Sequence, residues 1–188
     1  MVVYGGIMKT DDKLNFDNMD AIGKIGEEKI FKPYFEEERK CVCTHVDDIN
    51  IKDRAYYDYQ CKCENGGTYL IEIKTDVLSL CYGNFLVECT QYGKPSGIEI
   101  TKADIWAHIT PTHMYLFSTK KLKKYCNKFE KFSYKSGKSW MQGYKLPIED
   151  TIKALQPVIV EVSHKIRNEL IDKWEDVNKK KLEIYYAG

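Results

Sequence analysis

Tyr57-Asp58-Tyr59-Gln60-Cys61-Lys62-Cys63-Glu64-Asn65-Gly66-Gly67-Thr68-Tyr69-Leu70-Ile71-Glu72-Ile73-Lys74 decides the reading of this chain. Two alternating runs flank a glycine-rich break, which is a hairpin signal. A three-residue loop, Asn65-Gly66-Gly67, suits a turn whose last residue is left-handed, a conformation glycine adopts without penalty. Glu64 then pairs with Thr68, and Asp58 falls opposite Lys74 and diagonal to Glu72. Strand side chains alternate between faces. One face carries Asp58, Gln60, Lys62, Leu70, Glu72 and Lys74; the other carries Tyr59, Cys61, Cys63, Tyr69, Ile71 and Ile73. A two-residue turn would put Asp58 and Glu72 on opposite faces, but the clean division into polar and apolar faces favours the longer loop.

Two carboxylates and a lysine on one strand face are the parts of a magnesium-dependent phosphodiester hydrolase. Oxygen ligands hold a hard divalent cation. A nearby ammonium orients water and stabilises charge on the phosphate. The same pattern also describes a solvated amphipathic hairpin, so the surrounding sequence has to be weighed.

The chain has 188 residues, 43% apolar and 30% charged, and a formal net charge of +1. That balance predicts a single soluble globular domain spanning 1–188. No run reaches the roughly 18 apolar residues of a membrane span, so no membrane partner is expected. Met1-Val2-Val3-Tyr4-Gly5-Gly6 lacks the basic and apolar regions of a secretory signal. An intracellular protein is therefore expected, cytoplasmic or, for a phage or viral chain, in the host cell. Its seven cysteines are then expected to be reduced thiols.

Charge is unevenly distributed. Ser118–Lys145 holds nine lysines and one acid, Glu130, whereas acids predominate from Asp11 to Glu64. A basic segment near an acidic site draws a polyanion to the first and metal ions to the second. Within the basic segment, lysines alternate with Phe129, Phe132, Tyr134, Trp140 and Tyr144, residues that stack on bases or fill a local core.

Along the chain, residues 1–16 read as peripheral. Asp17 or Asp20 caps a helix that continues to about Phe35, with Ile22, Ile25, Ile30 and Phe31 at helical spacing. Gly23 and Gly26 each cost that helix about 1 kcal/mol, which close packing on a sheet would offset. Strands are predicted over 40–49, 56–63, 68–75, 84–90 and 113–117. Thr101-Lys102-Ala103-Asp104-Ile105-Trp106 resembles a capped helical start. A basic helix spans Lys120–Lys128, and a mobile loop or ribbon follows over 130–145. A short helix ends at Leu155-Gln156-Pro157. A final helix from about Val162 to Lys180 has Ile166, Leu170, Trp174 and Val177 on one face.

Two other patterns are set aside. Cys41-x-Cys43-x-His45 and Cys61-x-Cys63 suggest zinc, but Cys-x-Cys on a strand spreads its sulfurs about 7 Å apart, and structural zinc prefers knuckles. These cysteines read better as small core residues. Ser136-Gly137-Lys138-Ser139 lacks the earlier glycine of a phosphate loop, since Phe132 stands there.

A helix with Gly26-Glu27, a strand with Asp58, a strand with Glu72-x-Lys74, then Val87-Glu88 on a further strand: in this order the chain resembles the PD-(D/E)xK nuclease superfamily over roughly residues 20–120. Gly93-Lys94-Pro95-Ser96-Gly97-Ile98 with Thr101–Trp106 is similar to phage-type and Holliday-junction-resolvase-like members. The resemblance implies an α/β fold with a restriction-endonuclease-like core, a mixed central β-sheet flanked by helices. The basic helix, loop and C-terminal helices over 118–188 complete that domain. It also implies a metal-dependent deoxyribonuclease, read here as an endonuclease, using Mg²⁺ with Mn²⁺ able to substitute.

By resemblance Asp58 and Glu72 become metal ligands. Lys74 becomes the water-orienting, charge-stabilising lysine, and Glu27 the helix carboxylate that completes the site or, as a further metal ligand, helps hold a second metal. Glu88 is a weaker candidate one strand away. Tyr57 replaces the proline of the nominal motif. DNA is the expected partner, with Lys94, Lys102, Lys131, Lys135 and Lys138 as candidate phosphate contacts, and a two-fold homodimer suits cleavage of both strands. Two rivals stay open: a nuclease-like fold that binds nucleic acid or protein without cutting, and a cysteine-based zinc module.

Overall fold

The computed structural model describes residues 16–136 and 139–178. Helix α1 (Phe16–Gly26) opens the fold and runs on through two wide π-helical turns, Glu27–Phe31 and Tyr34–Glu38. Pro33, which has no N–H to donate, sits between those turns. There follow β1 (Cys41–His45), a short helix α2 (Val46–Ile49), β2 (Tyr59–Cys63), β3 (Thr68–Thr75) and α3 (Ser79–Tyr82). Next come β4 (Asn84–Gln91), β5 (Lys94–Pro95), β6 (Ile105–Ile109), β7 (His113–Ser118) and α4 (Thr119–Cys126). The described chain ends with β8 (Phe132–Ser136), β9 (Ser139–Pro147), α5 (Ile148–Leu155), β10 (Val158–Glu161) and α6 (His164–Asn178).

The protein is α/β, with a mixed central sheet flanked by helices. That sheet has six strands in the order β1-β2-β3-β6-β7-β10. Its β3–β6 pair is parallel and its other pairs are antiparallel. A second sheet of four strands runs β5-β4-β9-β8. On one face of the central sheet, Tyr59, Cys61, Ile71, Ile73, Ala107, Ile109 and Met114 pack with Ile22, Ile30, Phe31 and Phe35 of the first helix and Leu170 of α6. On the other face, Trp106, Tyr115 and Phe117 pack with Phe85 and Val87 of β4, Tyr144 and Leu146 of β9, and Leu122 of α4. Lys29 pairs with Glu169, tying the first helix to α6.

Gly26 explains how α1 reaches the sheet. A Cβ there would collide with Thr75 Oγ1 and lie 3.2 Å from Ile109 Cδ1. The expected close approach therefore falls at Gly26. At Gly23 an added Cβ would meet nothing nearer than Glu27 Oε1, at 3.9 Å.

Several expectations are corrected. The strand predicted over 40–49 stops at His45, whose Nδ1 accepts from Asp47 N–H at 3.2 Å and caps α2. Thr101–Trp106 is no helix: Thr101 Oγ1 donates to Tyr56 O at 2.8 Å, and Ile105 and Trp106 begin β6. The strand beginning at Asn84 is real but belongs to the second sheet. Of the loop or ribbon expected over 130–145, residues 132–136 and 139–147 form the ribbon, as two paired strands of that sheet. β10 has no counterpart among the strands expected from the sequence.

The cysteines depart furthest from expectation. The β1–β2 register sets Cys41 opposite Cys63 and Cys43 opposite Cys61, and both pairs are disulfide-bonded. Direct cross-strand apposition brings the sulfurs together, which the spacing within either strand does not. The expected core placement holds, since Cys41, Cys43 and Cys61 are buried; the expected reduced thiols do not. Bonded pairwise, these four sulfurs offer no thiolate to zinc. The reading of residues 1–15 as peripheral, and the extension of the last helix to Lys180, lie outside the described residues.

Candidate active site

The β2–β3 hairpin closes one residue earlier than the sequence suggests. Cys63 N–H donates to Gly67 O at 2.9 Å, and Gly66 takes the left-handed position at φ +83°. The ladder then pairs Lys62 with Thr68 and Tyr59 with Ile71. This register is shifted by two residues from the expected one. An even shift preserves which side chains share a face, so Asp58, Glu72 and Lys74 remain on the polar side.

Beyond Tyr59 the two strands part. Val46 N–H donates to Asp58 O, and Asp58 N–H donates to Ile71 O, both at 2.8 Å. The Asp58 side chain fills the opening: Oδ2 accepts from Ile73 N–H at 2.6 Å. That bond fixes the carboxylate beside the backbone between Glu72 and Lys74. Glu72 is buried, and Lys74 Nζ lies 2.8 Å from its Oε1. Trp106, next to Glu72 in the β3–β6 ladder, floors the site, with Lys74 Nζ 5.9 Å from the ring centroid.

The electrostatics identify a group of charges that is short of cations. Burial, then the negative charge of Glu72, pushes the Asp58 carboxyl up to about 7; Lys74 and the Ile73 N–H oppose the shift. Burial works to lower Lys74, but the charges of Glu72 and Asp58 and the hydrogen bond to Glu72 outweigh it. Lys74 is therefore held above the ordinary lysine range and is an ammonium at neutral pH. One ammonium faces two carboxylates, and a proton on Asp58 makes up the balance.

Glu27 flanks this group from the helix side of β2. It is half-buried, and desolvation raises its carboxyl while His45 opposes the rise. The Tyr59 hydroxyl beside it donates to Glu28 at 3.4 Å. Among the influences on Asp58, Glu27 is a small one. Glu88 accepts from the Ser96 hydroxyl and contributes to raising Lys74.

Two residues near the site, Asp76 and His108, escape the sequence reading, and a third, Tyr134, enters it only as one aromatic of the basic segment. Asp76 continues the alternation of Glu72 and Lys74 along the chain. Its Oδ1 accepts from Leu78 N–H at 3.1 Å and Ser79 N–H at 3.0 Å, and its Oδ2 lies 3.5 Å from His108 Nε2. His108 is buried and pairs with Lys74 across the parallel ladder. The Tyr134 hydroxyl is raised by burial and by Glu88, Cys89 and Asp76, with Lys74 opposing, so it shares the same field. Alternation beyond Lys74 is the available signal for Asp76; His108 and Tyr134 need the strand order.

The candidate DNA-binding lysines lie on several elements. Lys94 is exposed on β5. Lys102 Nζ sits 3.7 Å over the Tyr56 ring. Lys131 lies 3.3 Å from Glu99 Oε1, so part of its charge is compensated internally. Lys135 stands opposite Trp140 in the β8–β9 register, and Lys138 lies outside the described residues.

The donor set suits a hard divalent cation. Mg²⁺ is characteristically held by one or two carboxylates together with waters and substrate phosphate rather than by a full protein cage. Asp58 and Glu72 are such a pair, with a charge deficit that a cation would relieve. Among the described residues, no three His, Cys, Asp or Glu side chains form a ready-made metal cluster, and no helix is long and apolar enough to cross a membrane. No family model matches the chain, and no curated protein or solved structure is significantly similar to it.

Proposed function

We propose that this protein is a divalent-metal-dependent deoxyribonuclease, an endonuclease built on a restriction-endonuclease-like core. The observation that carries the reading is the grouping of Asp58, Glu72 and Lys74 where β2 and β3 part, with the Asp58 carboxyl pushed up to about 7 by burial and by the neighbouring Glu72 charge.

Asp58 and Glu72 would hold Mg²⁺, or Mn²⁺ in its place. The ion would supply Lewis-acid stabilisation of the phosphate and of the leaving 3′ oxygen. Lys74 donates hydrogen bonds to the attacking water and the phosphate oxygens. As a charged ammonium it orients and stabilises and does not abstract the proton, which passes from the attacking water to the surrounding solvent. The Ile73 N–H locks the Asp58 rotamer, and burial of Glu72 keeps its carboxylate from being lost to bulk water. Glu27 would add negative charge from the helix side. A two-fold dimer would let two such sites cut both strands.

A digestion panel tests this reading: linear duplex, single strand, supercoiled circle and four-way junction, each with Mg²⁺, Mn²⁺ or chelator. Nicking or linearisation of the circle with either metal, and none with chelator, is expected. Chelator-resistant cleavage, or none on any substrate, would overturn the proposal.

A further inference from the structure

At one end of the second sheet, β4 leaves and β9 enters through two large exposed aromatics. Trp140 and Tyr92 are each 61% exposed, and Tyr92 N–H donates to Trp140 O at 2.8 Å. Tyr92 and Gly93 form the two-residue connection between the paired residues Gln91 and Lys94, both with positive φ, +50° and +73°. That turn favours Asn, Asp or Gly at its first position. A tyrosine there is held against local preference, which directs attention to what its ring does.

The neighbours of these rings are polar. On the same face of β9, Gln142 hydrogen-bonds to Thr90 at 3.1 Å and to Ser133 at 3.4 Å. These are polar, uncharged neighbours, so the aromatics are not part of a contiguous apolar patch of the kind protein partners use. Along the sequence the ribbon leans positive: from Lys131 to Pro147 the chain has four lysines and no acid, and from Thr90 to Ser96 it has Lys94 and no acid, while the nearest acids, Glu99 paired with Lys131 and Glu88 opposite Gly143, are carried by other segments. An exposed indole on a lysine-rich ribbon that carries no acid of its own is complementary to a flat π-surface attached to phosphate.

We propose that Trp140, assisted by Tyr92, is a stacking platform for an unpaired base of a single-stranded nucleic acid. A base buried in a duplex offers no free face to the ring, so the platform selects single strands and unpaired junctions over blunt duplex. This inference shares with the proposed function its polyanionic ligand, but it does not depend on cleavage. It concerns which part of the substrate is held, at a surface outside the Asp58-Glu72-Lys74 group.

The test is binding in chelator, where cleavage plays no part. An oligothymidylate strand is titrated into wild type, Trp140→Phe and Trp140→Ala, read by anisotropy and by tryptophan fluorescence. Trp106 is buried and Trp174 is on α6, so stacking should quench chiefly Trp140. Quenching in wild type, its loss in both variants, and affinity weakened about tenfold in Trp140→Ala but largely kept in Trp140→Phe are expected. Affinity for blunt duplex should be unchanged in both variants. Equal single-strand affinity in wild type and Trp140→Ala, no quenching, or equal losses on single strand and duplex would each overturn the platform. Stacking without metal-dependent cleavage would remove the nuclease reading and leave the platform standing; cleavage without stacking would do the reverse.

Discussion

Asp58→Asn should stabilise the metal-free protein at pH 8, because the wild-type carboxylate is ionised there against its surroundings. The carboxyl is raised from 3.8 to about 7 in the folded state. A folded-state pKa above the unfolded one means that the native form binds the extra proton. The contribution to stability is therefore fully present below pH 3.8 and is lost as pH rises through about 7. A tenfold difference in proton affinity between folded and unfolded chain is about 1.36 kcal/mol, so the penalty at pH 8 has a ceiling of about 4 kcal/mol. Relaxation and coupling to Glu72 reduce this, and a gain of roughly 2–4 kcal/mol is expected. Asn keeps an oxygen to accept from Ile73 N–H, so the geometry is retained. For a chain of this size the gain corresponds to a Tm rise of roughly 4–15 °C. Thermal unfolding followed by circular dichroism in chelator at pH 4 and pH 8 measures it. The two proteins should melt together at pH 4 and separate at pH 8. A variant no more stable than wild type at pH 8, or a gap independent of pH, would refute the reasoning.

Three further outcomes follow from the same geometry. Mg²⁺ should raise the wild-type Tm by an amount that grows between pH 5 and pH 8, because metal and proton compete for the carboxylate pair, and it should not raise that of Asp58→Asn; a metal effect that is flat with pH or retained in the variant would count against the site. Thiol titration in denaturant without reductant should count three thiols, Cys81, Cys89 and Cys126, and seven after reduction; reduction should lower stability by about 3 kcal/mol or more, given sequence separations of 18 and 22, and seven thiols at the outset would contradict the pairing. Gly26→Ala should destabilise by about 1–3 kcal/mol despite alanine's better helix propensity, since its Cβ meets Thr75, whereas Gly23→Ala should be neutral or stabilising in denaturant unfolding; equal effects at the two glycines would show that packing on the sheet does not decide.

The face of the hairpin is legible in the sequence because alternation fixes parity, and parity survives a register error of two residues. The apolar set Tyr59, Cys61, Ile71 and Ile73 is buried as its pattern requires. The register itself is not legible, because Glu64-Asn65-Gly66-Gly67 permits the left-handed residue at either glycine. Thr101 and Asp104 mimic a capping box, yet their side chains serve other partners: the Thr101 hydroxyl donates to Tyr56 O in the loop before β2, and Asp104 Oδ2 accepts from Leu70 N–H at 2.9 Å and extends the β3–β6 pairing. Strand order is a long-range property, which is why the second sheet escapes a local reading although its β4 and β9 strands alternate. For the same reason the Cys41–Cys63 and Cys43–Cys61 pairs and the His108–Asp76 contact cannot be read from local sequence.

Cleavage by wild type, Asp58→Ala and Glu72→Ala, side by side on a supercoiled circle with Mg²⁺, tests the central claim most directly. Wild type should convert the circle to nicked or linear product bearing 5′ phosphates. Each variant should lose that activity by several orders of magnitude while remaining folded by circular dichroism. Undiminished cleavage in either folded variant would contradict the assignment of the Asp58-Glu72 pair as the catalytic metal site.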